Sequence, residues 1–165
     1  GRYWFRGNEE VFQKCKDWFK NYLEITARYA RDKGVTLAVE TGSHSADYPG
    51  HPKELVRAVE KVKDVGITLD VGHLYLSAPE KEEAREDWIF EQIELVKDFL
   101  VSVHLHDNYG LSDDHLPPGR GKINFFPIME ALGKYYDGPI ILELWDLSNP
   151  VKDVKKSIET IKEVL

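Results

Sequence analysis

The chain has a single cysteine, Cys15, so no internal disulfide can form. That suits a reducing compartment, and a cytoplasmic location is the expectation. No apolar run approaches the ~18 residues of a transmembrane helix, so no membrane partner is expected. The first residues lack the apolar core of a secretory signal. Positive charge is in deficit: 22 Lys and Arg against 29 Asp and Glu give a net charge of −7. General attraction to phosphate backbones or anionic membranes is therefore missing, which disfavours a nucleic-acid partner. No low-complexity linker interrupts the chain, and residues 1–165 read as a single domain. At 42% hydrophobic and 31% charged the balance is that of a soluble globular protein. A chain of this length buries about 70% of its unfolded surface.

What is present is alternation. Asn8, followed by Glu9 and Glu10, reads as a helix start. Val11, Cys15, Trp18, Phe19, Tyr22, Ile25, Tyr29 and Ala30 carry helical spacing as far as Lys33, and Gly34 ends the run. Val35 to Glu40 alternates as a strand. Pro52 opens a helix with Leu55, Val56, Val59 and Val62 on one stripe. After Gly66 a second strand runs to Asp70, with Gly72 and His73 at its end. A helix is expected from Pro79 to Phe99, with Trp88, Ile89, Ile93, Leu95 and Val96 toward the core. In the next strand Val101, Val103 and Leu105 face one way, and Ser102, His104 and His106 the other. A long loop spans Asp107 to Lys122, and Ile123-Asn124-Phe125 reads as a vestigial strand. A helix from Phe126 to Tyr136, a strand from Ile140 to Leu144 and a helix from Pro150 to Val164 complete the chain.

Helices alternating with strands imply parallel strands and right-handed crossovers. A doubly wound sheet would bury both strand faces. Here one face is aliphatic, while the other carries Thr36, Glu40, Thr68, Asp70, Ser102, His104, His106 and Glu143. No Gly-rich phosphate loop follows any strand, which weakens a nucleotide-binding fold further. A barrel explains both faces, with polar groups at the carboxyl ends of its strands. A full (β/α)8 barrel needs about 250 residues. The expectation is therefore an α/β chain forming a partial (β/α)8 TIM barrel, about its last four to five βα units. On this reading the chain starts inside a repeating unit, as the later part of a longer protein or as one of two copies that complete each other. Open barrel edges make self-association the further expectation.

Glu40, Asp70, His104 and Glu143 all fall at strand ends on the inward face. Three carboxylates so close do not all stay ionised without a cation, and no basic residue lies on these faces. One nitrogen and three oxygen donors suit Mn²⁺, Mg²⁺, Co²⁺ or Zn²⁺.

The runs Leu37-Ala38-Val39-Glu40, Thr68-Leu69-Asp70-Val71-Gly72-His73, Val103-His104-Leu105-His106-Asp107, His115 to Phe125 and Ile141-Leu142-Glu143 follow one another in order. From about Gly34 onward this pattern resembles the xylose-isomerase-like TIM-barrel superfamily, which includes sugar-phosphate isomerases and epimerases and endonuclease IV. The resemblance implies that Glu40, Asp70, His104 and Glu143 hold the metal. His73 would touch substrate hydroxyls or, with Asp113 and His115, bind a second metal as in the endonuclease branch. His106 is not a ligand position in this alignment and is expected to support the ligands from behind or to face substrate. Arg120, in the Gly-x-Gly loop, is the candidate for a substrate oxygen or phosphate. His44 and His51 read as solvated loop residues.

The resemblance implies a divalent-metal-dependent isomerase or epimerase of a sugar or sugar phosphate. Glu40 and Glu143 would exchange a proton through a cis-enediolate. One alternative is an endonuclease IV-like phosphodiesterase at abasic DNA sites. Another is a non-catalytic incomplete barrel that keeps inherited ligands.

Overall fold

The computed structural model describes residues 9–43, 49–79, 82–145 and 147–164; the expected cap Asn8 and the loop histidine His44 lie outside them. The first helix, α1 (Glu9–Asp32), has Glu9 and Glu10 in its first turn and Arg31 in its last, each complementing the helix dipole. There follow β1 (Leu37–Glu40), α2 (Pro52–Val59), β2 (Val65–Asp70), α3 (Val71–Ser77) and α4 (Glu82–Val96). A 3₁₀ turn (Lys97–Phe99) leads into β3 (Leu100–Leu105), then α5 (Phe125–Gly133), β4 (Ile140–Leu142) and α6 (Pro150–Lys162).

The four strands pair in parallel in sequence order, β1-β2-β3-β4. Aliphatic side chains of β2 and β3 (Ile67, Leu69, Val103, Leu105) are fully buried, packed with Leu55, Ile89, Ile93 and Val96 from the helices. Each such side chain contributes about 1.5–3 kcal/mol on leaving water. On the other face the Thr68 and Ser102 hydroxyls meet at 2.6 Å. Asp70 lies directly across from His104 in the same register. Among the described residues no helix is long and apolar enough to cross a membrane.

Several sequence expectations are corrected. Val35 and Thr36 precede β1, and β4 stops at Leu142 instead of Leu144, although the Glu143 N–H still donates to Leu105 O at 3.2 Å. Residues 123–124 form no strand; Phe125 already belongs to α5, and both Phe125 and Ile123 are buried. The long helix expected from Pro79 to Phe99 starts later and ends in a 3₁₀ turn, while a separate helix, α3, follows β2 without a loop. Asp70 makes this abrupt change by capping α3: its carboxylate accepts the His73 N–H at 2.8 Å. On α1 the buried residues are Phe12, Leu23 and Ala27, whereas Trp18 (73% exposed), Tyr22, Ile25 and Tyr29 face outward. The helix has two apolar stripes, and the sheet and α2 take only one of them.

Candidate metal centre

Each strand delivers one polar side chain to the same end of the sheet. Glu40 ends β1, Asp70 ends β2, His104 lies next to last in β3, and Glu143 follows β4. One ligand atom from each lies within 4.8 Å of the others. His104 Nδ1 is 3.0 Å from Glu40 Oε1 and 3.0 Å from Glu143 Oε2, and 3.9 Å from Asp70 Oδ2. A single ring proton cannot serve both glutamates. Asp70 Oδ2 is buried with no hydrogen-bond partner among the described residues. Burial pushes the Asp70 carboxyl up, but the neighbouring His106 and His73 outweigh burial and leave it below the usual carboxylate range. Three acidic groups around one imidazole, with a buried orphan oxygen among them, fit a divalent cation.

A second group adjoins the first. His73, His106, Asp113 and His115 also bring ligand atoms within 4.8 Å of one another. Tautomers follow from the outer partners. His73 Nδ1 lies 2.7 Å from Thr41 O, and His115 Nδ1 lies 3.0 Å from Glu143 O. A carbonyl only accepts, so both Nδ1 atoms carry protons, and in the neutral rings both Nε2 atoms present lone pairs. Those lone pairs face Asp113: His73 Nε2 at 3.1 Å from Oδ2, and His115 Nε2 at 3.3 Å from Oδ1. Acceptors facing acceptors need a proton or a cation between them. His115 also holds a left-handed backbone (φ 46°), strain of about 1–3 kcal/mol that is typical of functional positions.

His106 is fully buried and belongs to this second group. Its Nε2 is 3.0 Å from Asp70 Oδ1 and 3.6 Å from Asp113 Oδ1. The ring's N–H direction misses both carboxylates, and neither ring nitrogen makes a well-aligned hydrogen bond. Burial pulls the imidazole down, but Asp70 and then Asp113 outweigh it and hold it above its ordinary value. The ring fits because residue 72 is glycine: a Cβ there would collide with the His106 imidazole. Asp70 thus touches both groups.

Arg120 joins neither group; its guanidinium pairs with buried Asp153 of α6. His51 is not simply solvated, since its Nδ1 accepts the Lys53 N–H at 3.3 Å and caps α2.

Two residues, Thr41 and Trp145, escaped the sequence reading, and a third, Asp107, was named there without its role. Thr41 holds Asp70 and His73: its hydroxyl accepts the Asp70 N–H at 2.9 Å, and its carbonyl takes the His73 ring proton. Asp107 folds the loop that carries Asp113 and His115. Its buried carboxylate accepts backbone N–H groups from Asn108, Gly119, Gly121 and Ile123. Its own backbone exchanges two hydrogen bonds with Leu116, at 2.7 and 2.8 Å. Trp145 stacks on His115. Gly121, where a Cβ would collide with the Asp107 carboxylate, and Gly119, whose φ is 85°, were the available signal for that role of Asp107.

An uncharacterized protein of Methanocaldococcus jannaschii is 32% identical over 151 residues, 89% of this chain and 48% of that protein. A Mycoplasma pneumoniae protein named "Probable L-ribulose-5-phosphate 3-epimerase UlaE" is 22% identical over 148 residues, 88% of this chain and 45% of that protein. The crystal structure of a D-tagatose 3-epimerase-like protein superposes with a TM-score of 0.64 at 27% identity, over 88% of this chain and 55% of that chain. The chain spans less than half the length of the curated relatives it matches. Its four parallel strands are a partial TIM barrel. The xylose isomerase-like TIM barrel family matches residues 1–164, and the chain belongs to that family.

Proposed function

We propose that the chain carries the metal and proton-transfer residues of a divalent-metal-dependent isomerase or epimerase of a sugar or sugar phosphate. The observation that carries the proposal is the convergence of Glu40, Asp70, His104 and Glu143 at the carboxyl ends of adjacent parallel strands. Those four residues would hold Mn²⁺, Mg²⁺, Co²⁺ or Zn²⁺. When bound, such an ion supplies Lewis-acid polarisation of a substrate carbonyl. Glu40 comes from one outermost strand and Glu143 from beyond the other, so the two address a substrate from two sides. One takes the proton from the carbon beside the carbonyl and the other returns it, by way of a cis-enediolate. Both side chains are partly exposed, as proton donors and acceptors for a bound ligand must be.

The test is solvent-deuterium exchange at the carbon beside the carbonyl of a ketose. Chelation should abolish it and Mn²⁺ should restore it; exchange that survives chelation contradicts the proposal. The outer edges of β1 and β4 have no strand partner among the described residues, and Trp18, Tyr22 and Ile25 are exposed, so we further propose self-association. Light scattering on a size-exclusion column tests it, and a monomer at all concentrations contradicts it.

The second group favours one other reading. Two adjacent metal positions suit in-line attack on a phosphodiester, as an endonuclease IV-like enzyme requires. His73, Asp113 and His115, with His106, would hold the additional ion. Incision of an abasic duplex is the assay, and the net charge of −7 lends this reading no electrostatic support.

A further inference from the structure

The net charge is −7, yet the positive charges are not spread evenly. Lys16 and Lys20 of α1 stand across a groove from Arg57 of α2 and Lys61 just beyond it. Asp17 and Glu54 also border this groove, and the balance stays positive. Its floor is apolar: Leu23 is buried, and Phe19 and Ala58 are partly so. Arg57 and Lys61 are exposed and have no ion-pair partner among the described residues. Lys20 reaches Glu24 only at 3.9 Å. Lys16 and Lys20, one turn apart on the same helix, repel each other.

The opposite pattern lies on α4. Asp87, Glu91, Glu94 and Leu95 share one face at helical spacing. The three acids are exposed, and so is Leu95, at 40%. Among the described residues the one ion pair on this face is Glu94 with Lys97, at 3.7 Å. Glu130 of α5 borders the same face. In the strand order α2 stands between α1 and α4, and it packs against α4. By helical spacing the exposed Trp18, Tyr22 and Tyr29 of α1 point away from Lys16 and Lys20, so this groove is separate from that stripe.

We propose that the α1/α2 groove is a docking surface for the acidic α4 face of a second copy of this chain. The basic walls meet Asp87, Glu91 and Glu94, and Leu95 covers the apolar floor. Because α2 lies between the groove and the acidic face, a two-fold axis makes the contact twice and closes a dimer. Opposed local charge orients the approach of two chains that are both acidic overall. A small anion would neutralise the walls but leave the floor and Leu95 wet. The contact uses helix surfaces, not the open edges of β1 and β4, and it does not depend on the reaction the chain serves.

The test measures the molar mass of the full chain by light scattering at about 0.1 M and about 1 M salt, where the screening length falls from about 10 Å to about 3 Å. Arg57→Glu/Lys61→Glu reverses the groove, and Glu91→Lys/Glu94→Lys reverses the α4 face. These side chains are exposed and lie outside the candidate metal centre, so both variants should keep the parent's circular dichroism. The wild type should be heavier at low salt than at high salt. Each reversal alone should be lighter than the wild type, because like charges then face each other. An equimolar mixture of the two should regain the wild-type mass, because opposite charges meet again in both contacts. The neutral pair Glu91→Gln/Glu94→Gln should raise the dissociation constant about fivefold or more, by the usual worth of exposed ion pairs; it decides the matter if a reversal unfolds the chain.

A wild-type mass in either folded reversal overturns the proposal, and so does a mixture no heavier than its parts. Association that survives high salt and both reversals belongs to the strand edges instead. A melting temperature raised by inorganic phosphate in the wild type but not in Arg57→Glu/Lys61→Glu, with no change in mass, would assign the groove to a small anion and overturn the second copy.

Discussion

Replacing Asp70 by asparagine removes one charge at the point where the two clusters of acidic and imidazole side chains meet, with almost no change in shape. The α3 cap survives, since asparagine accepts the His73 N–H as well as aspartate does. The pairing with His106 and His73 outweighs the desolvation of the buried carboxylate, so removing the charge costs net stability. Metal-free Asp70→Asn should therefore melt a few degrees below the metal-free parent, the shift that about 1 kcal/mol produces in a domain of this size, and stay folded. Metal binding is different. At an effective dielectric near 20, a unit charge 4 Å from another is worth about 4 kcal/mol. Losing that attraction lowers affinity by roughly a thousandfold. Calorimetric titration of the chelated proteins with Mn²⁺ measures it, and melting curves with and without Mn²⁺ give an independent reading. Wild-type affinity in the variant would refute Asp70 as a ligand. Collapse of the metal-free variant would show that the charge serves folding, through His106, rather than metal binding.

Three further outcomes are expected. Gly72→Ala drives a methyl group into the stacked His106 ring, costing about 1–3 kcal/mol in a thermal melt and disturbing metal uptake by His73, His106, Asp113 and His115 more than by the first group; an unchanged melting temperature would contradict it. Asp107→Asn turns an amide nitrogen toward two of the four N–H groups the carboxylate serves, and at about 1–3 kcal/mol for each unsatisfied group the loss is about 2–6 kcal/mol in urea unfolding. For His51, burial lowers the imidazole from its ordinary 6.5, Glu54 opposes this and Lys53 adds to it. The unfolded chain then takes up the proton first, so this contribution is complete above 6.5 and fades as pH falls toward the folded value. His51→Asn keeps an acceptor for the α2 cap and does not titrate, so the wild type should lose stability relative to the variant on acidification, and parallel pH profiles would contradict it.

The meeting of Glu40, Asp70, His104 and Glu143 at one end of the sheet was legible because a strand's two-residue period leaves little choice. Once Val39, Leu69, Val103 and Leu142 face the helices, Glu40, Asp70, His104 and Glu143 face the other way and share one end of the sheet. His106 lies beyond the last β3 residue, on the side of Asp70, 3.0 Å from its Oδ1. Its placement depends on the space left by Gly72, a contact 34 positions away in the chain. Arg120 finds Asp153 and Asp107 finds the Gly119 and Gly121 amides through folded loops, which carry no periodicity. On α1 the apolar spacing marked the helix but not which of its two stripes the sheet would accept.

The central claim is that Glu40, Asp70, His104 and Glu143 enclose one divalent ion. An anomalous difference map from crystals grown with Mn²⁺ tests it most directly. The account predicts a peak bounded by Glu40, Asp70, Glu143 and His104 Nδ1 that vanishes after chelation. A map with no peak among those four side chains, in crystals that bind Mn²⁺ elsewhere or not at all, would contradict it.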